Sequence, residues 1–198
     1  MNYLAHLYLS GNNHEIMIGN FIADHVKGKQ IEFFDEEVVK GIKLHRMIDE
    51  FTDSHKVVEQ SKIRLRSEFG KYSPVIVDVF YDHYLAVKWE QYHHEDLSVY
   101  ANNFYSLLND NHHRLPVRTQ QMIQFMIPQN WLLNYKTIEG INKTLTGMSR
   151  RTKFESRMDE AALYLDRYYS EFEGEFDEYF EELRRYVSIV GDEIIKLS

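Results

Sequence analysis

The chain has 198 residues, no cysteine and a formal net charge of −8. The missing cysteine excludes disulfides, thiolate redox chemistry and Cys-ligated zinc, and the length suits one domain whose core needs no covalent staple. The acidic balance disfavours nucleic-acid binding, which carries a basic footprint, and no apolar run reaches the ~18 residues of a membrane span.

The chain reads as helical nearly throughout. The amino-terminal "MNYLAHLYLS" lacks the basic start and cleavage site of a signal peptide, so the expected location is the cytoplasm. His6, set among apolar residues there, reads as a core histidine rather than a ligand. Asn12 or Asn13 caps a helix to Lys27 that Gly28 closes. Asp35 caps the next, with Phe34 and Val39 as a hydrophobic staple, and that helix runs to about residue 58. Ser73-Pro74 opens a helix to about residue 92. Asp96 or Ser98 starts another that ends near Asn109 to Asn111. Shorter helices follow at 116–127 and 130–146, then two longer ones at 153–173 and 175–196 around Gly174. The expectation is a single all-α domain over residues 1–198, a bundle of seven to nine helices.

Charge is uneven along this bundle. Residues 155–198 hold 13 acidic and 5 basic residues, so the rest of the chain is neutral overall. One stretch, 136–153, carries Lys136, Lys143, Arg150, Arg151 and Lys153 against Glu139 alone. It is either an ordinary solvated surface or a patch that meets a phosphate or an acidic partner.

Three groups of polar residues sit against apolar helix faces. In "VIVDVFYDHYLAVKW", Asp78 and Asp82 fall among Val75, Val79, Leu85, Ala86 and Trp89, with His83 about 100° round the helix. Burying two carboxylates there is costly unless something pairs with them. A divalent cation would resolve the conflict. So would an Arg from another helix, or a role for such an Asp in capping another helix. In "LHRMIDEFTDSH", the stripe Val38–Ile42 runs into His45 and Asp49, and Arg46 lies a little beyond. His and Asp at i, i+4 hold one metal, or the Asp orients the imidazole; a simple hydrogen bond is the other reading. Asp53 and His55 read as structural or solvated. In "GNFIADHVKG", Asp24 projects beside Met17 and Phe21, with Asn20 one turn away. No glycine-rich phosphate loop, GxSxG elbow or HExxH zinc site occurs. Hard oxygen ligands with one or two imidazoles suit Mg²⁺ or Mn²⁺, and phosphate-ester hydrolysis is the usual work of such a site.

The segments "MNYLAHLYLS", "GNFIADHVKG", "GIKLHRMIDEFTDSH", "DVFYDHYLAVKW", "NWLLNY", "INKTLTGMSRR" and "LDRYYSEFEGEFDEYF" together resemble the bacterial acyl carrier protein phosphodiesterase family, nearly end to end. The resemblance implies an all-helical fold related to HD-domain phosphohydrolases, dependence on Mn²⁺ or Mg²⁺, and removal of the 4′-phosphopantetheine arm from holo acyl carrier protein. The matching positions are Asp24, His45, Arg46, Asp49, Asp53, Asp78, Asp82 and His83. The order Asp82-His83 reverses the doublet of ordinary HD domains, so their ligand assignment does not transfer directly. On this reading Asp24, His45, Asp78 and Asp82 hold the metal, and Asp49 is either a further ligand or part of the reaction. His45 meets Asp82 across the ion, and a metal-activated water attacks phosphorus. Arg46 or His83 stabilises the phosphoryl charge or protonates the leaving oxygen, and Arg150 and Arg151 guide the acidic carrier protein or its phosphopantetheine. The competing expectations are a metal-dependent phosphohydrolase of small nucleotide or coenzyme A-like substrates and a non-catalytic helical interaction protein. Oligomeric state is left open.

Overall fold

A computed structural model describes residues 2–196, with side chains described as far as Gly191. Every regular element among them is helical, as expected. Twelve α-helices are described rather than seven to nine, because the breaks fall more often than the gross pattern suggests. They are α1 (Tyr3–Leu9), α2 (His14–Ile22), α3 (Glu36–Ser54), α4 (Lys56–Phe69), α5 (Ser73–Val87), α6 (Trp89–Tyr92), α7 (Leu97–Asp110), α8 (Val117–Met126), α9 (Trp131–Asn134), α10 (Ile138–Ser149), α11 (Ala161–Arg167) and α12 (Tyr169–Lys196). None is long and apolar enough to cross a membrane.

Side-chain caps explain several boundaries. Asn13 accepts from the amides of Glu15 and Ile16 and starts α2. Asp96 accepts from Ser98 and starts α7, and Thr137 accepts from Gly140 and starts α10. Asp35 stands at the N-cap of α3 without a side-chain cap bond; its carboxylate lies 3.2 Å from Arg114 instead. Several boundaries differ from the expectation: the helix expected to run to about residue 92 breaks at Lys88 into α5 and α6, and in place of a helix at 153–173 stands α11, from Ala161. α2 stops at Ile22, and a tighter 3-10 turn over Ala23–His25 carries Asp24. His55 takes an extended conformation and splits α3 from α4, a helix the sequence reading did not separate. The expected 130–146 helix is two pieces, α9 and α10. Gly174 breaks nothing: the break falls at Tyr168, and α12 runs through the glycine.

That continuity follows from burial. Phe172, Phe176, Tyr179, Phe180 and Leu183 form one fully buried stripe at helical spacing on both sides of Gly174. Phe176 meets Tyr81 and Tyr84 of α5 with ring centroids 5.8 Å apart, so α12 seals the aromatic core against α5. On the other side of the core, α2 and α3 pack backbone to backbone. A Cβ on Gly19 would strike the Val38 carbonyl oxygen, and one on Gly41 would strike that of Ile16. Gly41 lies one turn before His45, and Gly19 precedes Asn20, so this approach sets where those two side chains meet.

Candidate metal centre

Two imidazoles and a carboxylate converge where α1, α2 and α3 cross. His6 and His45 are buried and stacked, ring centroids 4.0 Å apart and 17° between planes. Asp49 spans them, with Oδ1 3.3 Å from His6 Nε2 and Oδ2 3.1 Å from His45 Nε2. Asp24 Oδ1 approaches His45 Nε2 to 3.4 Å from the solvent side. One ligand atom from each of His6, His45 and Asp49 fits within a 4.8 Å cluster.

Each imidazole is oriented by something specific. Asn20 Oδ1 lies 3.1 Å from His45 Nδ1. The Asn20 amide donates to the His6 carbonyl oxygen and to Ser10 Oγ, both at 2.9 Å. The amide end being a donor, its oxygen must accept, so Nδ1 of His45 carries hydrogen and Nε2 turns toward the carboxylates. His6 is carried by α1, whose orphan N-terminal amides are satisfied from another helix: Leu4 and Ala5 donate to Asp82 at 2.7 and 3.1 Å.

The electrostatics follow from these contacts. Burial opposes a charge on His45, but Asp24 and Asp49 overcome it and push its pKa up to about 9. Burial and the neighbouring His45 charge hold His6 down to about 4. Asp49 is held well below the usual carboxylate range by its two imidazole partners, against the opposing effect of burial. Asp24 is lowered chiefly by its bond to His45.

Buried His6 Nδ1 has no hydrogen-bond partner, and Nε2 has only the Asp49 carboxylate oxygen at 3.3 Å, out of hydrogen-bond geometry. A buried, neutral, unsatisfied imidazole facing a carboxylate costs stability in isolation. The donor set His6, His45 and Asp49, with Asp24 beside it, fits a divalent cation, which would satisfy that nitrogen.

The structure brings together only part of the sequence-derived set. Asp24, His45 and Asp49 meet; His6, read as a core histidine, joins them. Asp82 does not meet His45 across an ion: it is fully buried and caps α1 with both oxygens, the capping alternative raised by its apolar surroundings. Burial pushes its pKa up to about 7 against the pull of those amides. Asp78, one turn earlier and only partly exposed, has its pKa raised by burial and lies outside the converging group. His83 is buried, its Nδ1 2.7 Å from the Tyr135 carbonyl oxygen and its Nε2 3.0 Å from the Tyr169 hydroxyl; with both nitrogens engaged, it does not reach the cluster as an acid. Arg46 is exposed on α3. Asp53 pairs with Lys62 and His55 with Glu182, which makes both structural. Arg150 is exposed, and Arg151 lies over the Trp131 ring at 5.7 Å. The signal for His6 was present: a histidine inside "YLAHLYL" with no partner on its own helix.

The chain was compared with known proteins. No solved structure matches it. The family model described as acyl carrier protein phosphodiesterase matches residues 1–183. Among similar proteins of that name, one from Photorhabdus laumondii is 28% identical over 181 residues, 91% of each chain. One from Pectobacterium atrosepticum is 32% identical over 174 residues, 87% of this chain and 90% of its own. One from Escherichia coli O157:H7 is 30% identical over 185 residues, 91% and 94% of the two chains. The match runs through every element that carries the His/Asp cluster, and the chain belongs to the acyl carrier protein phosphodiesterase family.

Proposed function

We propose that the protein hydrolyses the phosphodiester joining 4′-phosphopantetheine to the serine of holo acyl carrier protein, at a divalent-cation site made by His6, His45, Asp49 and Asp24. The observation that carries this is the convergence of His6, His45 and Asp49, with His6 Nδ1 buried without a hydrogen-bond partner and Nε2 facing only the Asp49 carboxylate. When bound, Mn²⁺ or Mg²⁺ would supply Lewis acidity toward the phosphoryl oxygens and an activated water.

The chain's own residues do the rest. Asn20 fixes the His45 tautomer so that Nε2 is the ligand atom. Asp49 spans the two imidazoles, its oxygens 3.3 and 3.1 Å from the Nε2 atoms of His6 and His45. Asp24, the exposed carboxylate of the set, stands on the open side and stays ionised near neutral pH, where it would help to hold the cation. Arg46, exposed on α3 three residues before Asp49, is the candidate cation for phosphoryl charge. Hydrolysis breaks the bond between phosphorus and the serine oxygen, returns a hydroxyl to the carrier protein and leaves the phosphate on the arm.

Mass spectrometry of holo acyl carrier protein after incubation tests this. Loss of the arm with Mn²⁺ or Mg²⁺, and no loss with a chelator, is the expected outcome. Unchanged holo protein under all conditions would reject the activity, and chelator-independent cleavage would reject the metal.

A further inference from the structure

Near the His/Asp cluster lies a concavity that none of the cluster's own side chains lines. It is a cavity of about 620 Å³ between α1, α8, α9 and α10, walled by Tyr3, Met122, Phe125, Trp131, Met148 and Arg151. That volume lies within the range of roughly 300–1,000 Å³ usual for small-molecule sites. Its wall is mostly apolar, its rim carries the amides of Gln129 and Asn134 and the Thr144 hydroxyl, and its cations are Arg151 and Lys143. Arg151 is held there: its Nε donates to the Gly147 carbonyl oxygen at 3.0 Å and its guanidinium lies 5.7 Å from the Trp131 ring centre.

The cavity and the cluster share structure. Tyr3 lies one turn before His6 on α1. Its hydroxyl meets Met122 Sδ at 3.0 Å, and its ring packs 5.4 Å from Phe21, three residues before Asp24. Helix α8 supplies Met122 and Phe125 to the cavity and also holds the Asp24 turn, through Thr119 Oγ1 bonded to His25 Nδ1 at 2.8 Å. Burial raises the Tyr3 pKa to about 12, with Asp24 acting in the same direction and Arg151 against it, so the phenol feels both the cluster's carboxylate and the cavity's cation.

We propose that this cavity is the arm pocket: it receives the pantetheine moiety while the phosphodiester lies at the cluster, and it sets specificity for diesters that carry such an arm. The assignment rests on the activity proposed above. The arm's chemistry matches the wall. A geminal dimethyl group and methylene segments suit Trp131, Phe125 and Met148; two amides suit the amide and hydroxyl rim. Arg151 sits where an anionic phosphate end enters.

Two measurements test it. The chain has two tryptophans; Trp89 is sealed in the core at 1% exposure, so a fluorescence response to added pantetheine reports Trp131. A saturable change is expected in the wild type, lost in Trp131→Phe and in Gly147→Phe. Gly147 lines the cavity, and a Cβ there meets nothing within 4 Å, so the phenyl ring enters free space. Gly147→Phe is expected to raise the KM for holo acyl carrier protein at least about tenfold, while kcat/KM for bis(p-nitrophenyl) phosphate, a diester without an arm, stays within about twofold. A wild type that cleaves holo carrier protein beside a Gly147→Phe variant of equal KM overturns the pocket and leaves the activity standing. Equal loss on both substrates also overturns the pocket. A wild type inactive on holo carrier protein overturns the activity, and the pantetheine titration then decides the cavity alone: no saturable change rejects it.

Discussion

Two imidazole rings stacked 4.0 Å apart do not both take a proton readily. The proton goes to His45, which Asp24 and Asp49 hold charged up to about pH 9, and burial keeps His6 neutral down to about pH 4. The sign of the resulting pH dependence follows. His45 has a folded pKa above its ordinary value of 6.5, so its contribution to stability is full below pH 6.5 and is lost as pH rises through about 9. Metal-free wild type should therefore lose on the order of 2 kcal/mol relative to His45→Gln between pH 6.5 and 9, read by urea unfolding. A flat difference across that range would show that the imidazolium is not held. His6 runs the other way: its folded pKa is lowered, and stability falls as pH drops from 6.5 toward 4. For the metal, His6→Asn should weaken Mn²⁺ binding by roughly 10–100-fold with the circular dichroism spectrum unchanged. Calorimetric titration giving wild-type affinity in that variant would remove His6 from the ligand set.

Helices place these side chains, and the placement depends on two devices far from any charge pattern. The first is the contact of Gly19 with α3 and of Gly41 with α2, where no Cβ fits against the facing carbonyl oxygens. Gly19→Ala must push α2 from α3 and with it Asn20 from His45; a cost of about 1–3 kcal/mol is expected, together with loss of metal affinity. A thermal midpoint within a degree of wild type would contradict the close approach. The second is Asp82, which caps α1 from α5 at the amides two and one residues before His6. Asp82→Ala leaves two buried amides unsatisfied at a cost of about 1–3 kcal/mol, so its melting temperature should fall by several degrees. Activity should fall because His6 is displaced, and added Mn²⁺ should restore part of it. Loss of activity with full thermal stability would return Asp82 to the metal.

Over the whole molecule, the uneven charge would steer the approach of an acidic partner. The acidic excess lies in the segment after residue 155, which includes α12, and the exposed Arg150 immediately precedes Arg151, which lines the cavity. Arg150→Glu should raise the KM for holo acyl carrier protein several-fold at low salt, and the rate should then fall less steeply with added NaCl than in wild type, since long-range steering is screened by salt. Identical salt profiles would place the docking face elsewhere.

How much of this was legible differs by level. The all-helical class and the caps at Asn13 and Asp96 were local, and local physics decided them: an acceptor side chain before an apolar-periodic run. Asp24, His45 and Asp49 were legible as candidates because an apolar stripe runs into each. His6 and Asp82 were the residues whose placement differed from the expectation: His6 joins the cluster, and Asp82 caps α1. A buried carboxylate on an apolar face looks the same in sequence whether it meets a cation or two helix amides. A histidine in a core helix looks the same whether its ring is satisfied or not. The residues and their helices are therefore matters of sequence, through periodicity and capping. Partnership was decided by the tertiary structure alone, because the approach of α2 to α3 and the docking of α1 on α5 are contacts between segments up to 78 residues apart.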